Sequence, residues 1–168
     1  VAGTTLIKDI YSGIQGYALT NFITLSGNLY FTVYGGASGN ELWKSDGTAA
    51  GTILLKAMSG DNFTNHASIM NGTLYFLEGE GLWKSDGTEA GTVMVKDTNL
   101  TYGLDTLFSW KGMLFFGSLW DGGVWRSDGT EAGTKKLIDG SFLNPIAMGD
   151  AIFFIGTDVV YGIELWKT

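Results

Sequence analysis

The sequence predicts an all-β fold with essentially no helix, and three observations carry that prediction. The first is a repeat. Trp43, Trp83, Trp125 and Trp166 stand 40, 42 and 41 residues apart, and three of them open near-identical stretches. Leu42 to Thr52 reads LWKSDGTAAGT, Leu82 to Thr92 reads LWKSDGTEAGT and Val124 to Thr134 reads VWRSDGTEAGT. The second is the length and make-up of the apolar runs, which are too short for helices and rich in β-branched and aromatic residues. No stretch of helical periodicity exceeds about ten residues, too few for a stable helix. The third is the balance of 26 glycines against one proline, which suits many tight turns between short strands.

Two further landmarks accompany each Trp. Upstream stand Gly27-Asn28-Leu29-Tyr30-Phe31, Gly72-Thr73-Leu74-Tyr75-Phe76, Gly112-Met113-Leu114-Phe115-Phe116 and Asp150-Ala151-Ile152-Phe153-Phe154. A Gly-Thr pair begins at Gly3, Gly51, Gly91 and Gly133. Four units over 168 residues give an average period of 42, in the range of propeller repeats. Each unit holds four short runs, here called A to D. In the second unit they are Ala67 to Met70, Leu74 to Leu77, Gly81 to Ser85 and Thr92 to Lys96. Asn71-Gly72 between A and B is a strong hairpin signal.

Four antiparallel strands per unit make one blade of a β-propeller. Leu29-Tyr30-Phe31 and Ile152-Phe153-Phe154-Ile155 are continuous apolar runs, as expected of strands covered on both faces by neighbouring blades. The whole chain, 1–168, is thus read as one four-bladed propeller. Blade 1 spans 18–56, blade 2 65–97, blade 3 104–139, and blade 4 combines 144–168 with 1–10. Blade 4 follows from the divided fourth copy: Leu165-Trp166-Lys167 is a strand C without its D, and Gly3 to Asp9 aligns with strand D. Pairing the two closes the ring as a clasp and removes two open edges. A rival arrangement places strand D of one molecule on the fourth blade of the next, building a dimer or filament.

Composition narrows the partners. Ten Lys and Arg against seventeen Asp and Glu give a net charge of −7. The basic residues are scattered, which argues against nucleic acid and anionic lipid. No apolar run reaches the length of a membrane-spanning helix, and the opening VAGTTLIKD lacks the basic start and apolar core of a leader. Cysteine is absent, so there is no disulfide framework and no thiolate metal site. Asn62, Asn71 and Asn99 begin N-x-Thr tripeptides and are the candidate glycosylation positions.

Two roles fit the repeated Ser-Asp-Gly-Thr. Asp46, Asp86 and Asp128 can each staple a turn by accepting backbone N–H bonds two residues on, or each can contribute to a calcium site, one carboxylate among hydroxyls and carbonyls. No other cofactor is suggested. The four Trp residues recur with the core and read as packing between blades.

Glu41-Leu42-Trp43-Lys44-Ser45-Asp46-Gly47-Thr48, Asn71 to Phe76, Thr88 to Asp97 and Glu164-Leu165-Trp166-Lys167 resemble the bacterial ELWxxDGT repeat family. The resemblance runs over essentially the whole chain. It implies a secreted or cell-surface protein with propeller-like repeats and supplies no catalytic residue. The second unit departs at Gly81-Leu82, the third at Val124, and the fourth lacks Asp-Gly after Lys167.

In a propeller the A–B and C–D turns share one rim, and the B–C and D–A connections share the other. Here the first rim is constant. On the second, the distance from the B landmark to the Trp varies as 16, 11, 13 and 16 residues. Variable loops on a rigid scaffold are the usual seat of binding. They bear Tyr11, Tyr17, Phe63, His66 and Asp158, and also Tyr34, Tyr102, Trp120, Asp121 and Tyr161, which are the candidate ligand-binding residues. Aromatics beside carboxylates suit a glycan or a surface protein. Catalysis finds little footing. His66 is the single histidine and no nucleophile motif surrounds it. The chain is therefore expected to be a non-catalytic binding or adhesion module, lectin-like, outside the cell or on its surface. The alternative is a structural protein that self-assembles by strand exchange or rim stacking.

Overall fold

The computed structural model describes residues 3–12, 18–36, 39–58, 63–99, 104–118, 122–158 and 160–168. Fifteen strands and no helix are found among them. They form four antiparallel sheets, each a meander in sequence order. The first holds β1 (Ala18–Leu25), β2 (Asn28–Gly36), β3 (Gly39–Ser45) and β4 (Ile53–Met58). The second holds β5 (Phe63–Met70), β6 (Thr73–Glu78), β7 (Gly81–Ser85) and β8 (Val93–Asp97). The third holds β9 (Leu104–Trp110), β10 (Met113–Ser118), β11 (Val124–Ser127) and β12 (Lys135–Ile138), and the fourth β13 (Leu143–Met148), β14 (Ala151–Asp158) and β15 (Gly162–Lys167).

The A–B hairpins follow from local chemistry. Asn71 and Gly72 both take positive φ, 51° and 75°, the pair of left-handed residues a two-residue hairpin turn needs. Ser26-Gly27 and Lys111-Gly112 do the same at 51° and 76°, and 47° and 72°. A second device recurs where strand D meets strand C. Trp43 pairs with Leu54 and Leu42 with Lys56, so Leu55 is an extra residue, a β-bulge. Trp83 pairs with Met94 and Leu82 with Lys96, leaving Val95 extra, and Trp125–Lys136 with Val124–Ile138 leaves Leu137 extra. The bulge redirects strand D, and Leu55 and Val95 turn into the core at 2% and 8% exposure.

The core lies between successive sheets. Tyr30, Leu42, Leu55 and Met58 of the first sheet pack on Leu74, Phe76 and Trp83 of the second. Tyr75, Leu82 and Val95 of the second pack on Leu114, Phe116 and Trp125 of the third. Phe115 and Val124 of the third pack on Ile152, Phe154 and Trp166 of the fourth. Each sheet thus has a forward face, bearing the middle residue of its B run, and a rear face, bearing its Trp. On the rear faces Phe31–Trp43, Phe76–Trp83 and Phe116–Trp125 stack with ring centres 6.4, 6.3 and 6.1 Å apart. Burying side chains of this size contributes about 1.5–3 kcal/mol each, and it explains why the B runs are apolar without alternation.

The expected clasp is not formed among the described residues. The fourth sheet has three strands among the described residues, and residues 3–9 adopt no strand. The N-terminal segment lies instead on the rear face of the first sheet. There Ile10 and Tyr11 pack against Phe31, Val33 and Trp43, and Lys8 Nζ donates to the Thr52 carbonyl at 2.6 Å. The physical reason is apolar demand. Among the described residues no other sheet covers the rear face of the first, and the segment covers part of it.

Candidate functional site

The two ends of the sheets differ in construction. At the C–D end, Asp46 Oδ1 accepts the Thr48 N–H at 2.9 Å and the Thr48 hydroxyl at 2.7 Å. Gly51 N–H donates back to Thr48 Oγ1 at 2.9 Å. Below the turn the Ser45 and Thr52 hydroxyls meet at 2.7 Å, and Gly47 N–H donates to Ser45 Oγ at 3.1 Å. The same bonds recur around Asp86, with Ser85, Thr88 and Thr92, and around Asp128, with Ser127, Thr130 and Thr134. A side chain on Gly51, Gly91 or Gly133 would strike the carboxylate of Asp46, Asp86 or Asp128, which accounts for the second glycine of each motif. The hydroxyl and amide bonds from Thr48, Thr88 and Thr130 hold the three carboxyls below the usual carboxylate range. All three are exposed, and no three His, Asp or Glu gather as metal ligands among the described residues.

The B–C and D–A end is built differently in each sheet. Between the first two sheets it opens a cleft of about 480 Å³, a size typical of small-molecule sites. Trp83 and Met94 give it an apolar wall, while Lys56, Glu78, Glu80 and Asp97 supply charge. The Glu78 carbonyl accepts the Trp83 indole N–H at 3.2 Å and fixes the ring. The short turn at Gly79-Glu80 is tied down as well, since the Glu80 carbonyl accepts both the Thr98 N–H, at 2.9 Å, and the Thr98 hydroxyl, at 2.7 Å. Glu80 and Asp97 are exposed and Glu78 is buried. The cleft therefore offers a positioned aromatic beside carboxylates and one ammonium.

The residues singled out from sequence distribute as follows. Tyr34 is 55% exposed but stands in strand β2, paired with Ala18, and not in a loop. Phe63 and His66 likewise fall within β5. Tyr161 is 71% exposed in the connection from β14 to β15. Tyr102, Trp120, Asp121 and Asn62 lie outside the described residues. Asn71 and Asn99 are exposed at φ 51°. Sequence reasoning missed the cleft between the first two sheets, because its walls come from β4, β6, β7 and β8 and adjoin only through packing. It also missed Glu41, 2% exposed, whose carboxylate accepts the Trp43 indole N–H at 2.9 Å and the Tyr11 hydroxyl. The available signal was an acid beside Leu42-Trp43 in a strand otherwise destined for burial.

No protein-family model matches the sequence, and no curated protein matches it either. Solved structures do match in shape. A chain of the nidogen/laminin complex superposes with a TM-score of 0.55 at 10% identity, over 83% of this chain and 56% of that one. The computationally designed Ika8 protein gives 0.60 at 13% identity, over 96% of this chain and 49% of that one. The designed Ika4 protein gives 0.60 at 11% identity, over 98% of both chains. This chain thus spans about half the length of the first two. The likeness is one of fold.

Proposed function

We propose that the four sheets are blades of a β-propeller and that the protein is a non-catalytic binding or adhesion module, extracellular or on the cell surface. Its ligand, a glycan or a surface protein, is held on the rim of B–C and D–A connections. The observation that carries this reading is the asymmetry of the two rims. One is locked by the same Asp-Thr staple in three blades. The other varies and opens the cleft walled by Trp83, Glu78, Glu80, Asp97 and Lys56. An aromatic beside carboxylates suits a sugar, which presents an apolar face for stacking and hydroxyls for hydrogen bonding. Exposed Tyr34 and Tyr161 extend the same kind of surface.

A glycan array and capture of surface proteins with the labelled chain test the reading. The expected result is a bound class whose affinity falls at least tenfold, about 1.4 kcal/mol, in Glu80→Ala or Asp97→Ala. The loop variants Tyr34→Ala, Trp120→Ala and Tyr161→Ala then map how far the footprint extends. Absence of binding to both libraries sinks it.

A further inference from the structure

We propose that two copies of this chain close into one ring of eight blades, four from each, and that residues 4–9 of each copy become the missing fourth strand of the other's last blade. The inference goes beyond the ligand-binding reading and stands on the two ends of the blade stack.

The first end is the forward face of the fourth blade. Its positions equivalent to half-buried Leu25 and buried Leu42 are Met148 and Leu165. Met148 is 64% and Leu165 73% exposed, with Ile146 at 65% and Ile163 at 73% beside them. In every other blade this surface is covered by the rear face of the next.

The second end is the rear face of the first blade. Phe31 and Trp43 stack there as the equivalent pairs do in the blades that have a predecessor, yet among the described residues only the N-terminal segment lies over them. An apolar groove of about 240 Å³ remains between Leu6, Ile7 and Ile10 on one side and Leu19, Phe22 and Phe31 on the other. Phe22 is 59% and Leu6 81% exposed. The turn at Gly47 carries the same vacancy. Where Gly87 and Gly129 meet the hydroxyls of Tyr30 and Tyr75 from the preceding blade, nothing lies within 4 Å of a Cβ built on Gly47. The residue equivalent to those tyrosines in the fourth blade is Phe153.

Forward face and rear face are therefore complementary by the repeat itself, and the occupant that fits each is the other end of the same chain. Contacts link β1 to β5, β5 to β9 and β9 to β13, while the exposure of Ile146 and Met148 shows that β13 is left uncovered. A second copy related by a two-fold axis satisfies both ends at once and leaves no open face.

The strand register makes the junction specific. Lys44 pairs with Ile53 and Trp43 with Leu54. The same offsets pair Lys167 with Thr5 and Trp166 with Leu6, and set Thr4 against Thr168 where Thr52 bonds to Ser45. Ile7, now 46% exposed, would take the buried place of Leu55 and Val95. The segment already lies at the junction, on the face that would receive the partner's fourth blade.

Light scattering on the full chain tests the assembly. The expected mass is twice 18.0 kDa. A mass of one chain at every concentration overturns the proposal, as does a ladder of higher oligomers. Leu165→Asp changes a side chain that is exposed in the single chain, so it leaves each copy folded by circular dichroism and weakens dimerisation at least a hundredfold. Unchanged dimerisation overturns the docking face. With no native cysteine, Thr5→Cys and Lys167→Cys report the strand exchange directly. A mixture of the two single variants is expected to give a disulfide-linked dimer carrying one of each, and the double variant a linked dimer. A linked single chain in the double variant, or no cross-link in either experiment, overturns the exchange.

Discussion

The hydroxyl of Tyr30 in the first sheet lies against Gly87 in the turn of the second, and Lys44 Nζ beside it donates to the Gly87 carbonyl at 3.3 Å. Tyr75 stands in the same relation to Gly129 one sheet further on. The stapled turns of the second and third sheets are thus each seated on the sheet before, and there the repeated motif joins neighbours as well as strands.

Gly87 and Gly47 separate the contact from the backbone. Both hold φ near +90°, so alanine at either costs about 1–2 kcal/mol in left-handed strain. Only Gly87→Ala also collides with Tyr30, adding about 1–3 kcal/mol of overpacking. In urea unfolding of the Leu165→Asp chain, where no second copy reaches Gly47, Gly87→Ala should be the more damaging. Tyr30→Phe should recover part of the difference. Equal losses at the two glycines would remove the contact from the account.

Acid should loosen the turns. Asp46, Asp86 and Asp128 have pKa values lowered first by their threonine hydroxyls and then by the threonine amides. A carboxyl whose folded pKa is depressed contributes stability above its unfolded value, about 3.9, and loses it as pH falls through the folded value. Carboxyl NMR titration should find three midpoints below the ordinary aspartate range. The thermal midpoint should fall as pH drops beneath about 4, and replacing all three residues by asparagine should flatten that decline.

Two tyrosines should ionise late. Burial, then the charge of Asp86, raises Tyr30, and burial, then Asp128, raises Tyr75. A phenol raised in this way favours the fold up to its ordinary pKa of about 10, and that contribution is lost as pH rises through the folded value. Ultraviolet titration of the native protein should show late-ionising phenols that unfolding releases. Asp86→Asn should bring Tyr30 partly back towards the ordinary value, and an unmoved titration would contradict the charge assignment.

Glu41 anchors the N-terminal segment. Glu41→Ala leaves the buried indole N–H of Trp43 and the Tyr11 hydroxyl without their acceptor, a loss of about 1–3 kcal/mol. Glu41→Gln keeps an acceptor and should cost less. Limited chymotrypsin digestion should cut at Tyr11 faster in Glu41→Ala than in the parent chain, and equal rates would show that the segment is held elsewhere.

The strands were legible in sequence because their signals are local. Asn71-Gly72 specifies its hairpin through two left-handed residues, and Asp46, Asp86 and Asp128 staple their turns within two residues along the chain. The bulges opposite Leu42-Trp43, Leu82-Trp83 and Val124-Trp125 were not legible, since an extra residue in a strand appears only when its partner is known. The cleft at Trp83 was hidden for a related reason: β4 belongs to one sheet and β6 to β8 to the next.

The sequence by itself determined the repeat, the all-strand character of the described residues, the order of strands within each sheet and the places of the turns, because hydrophobic pattern and turn chemistry act over a few residues. Only the tertiary structure decided where residues 3–12 lie. The motif match of Gly3 to Asp9 with strand D states which edge they can pair with, not which apolar face is nearer and uncovered. Within one chain that face is the rear of the first sheet, where Ile10 and Tyr11 gain burial against Phe31 and Trp43. Which face a segment covers depends on surfaces contributed by residues far apart in the chain, and no local pattern encodes that.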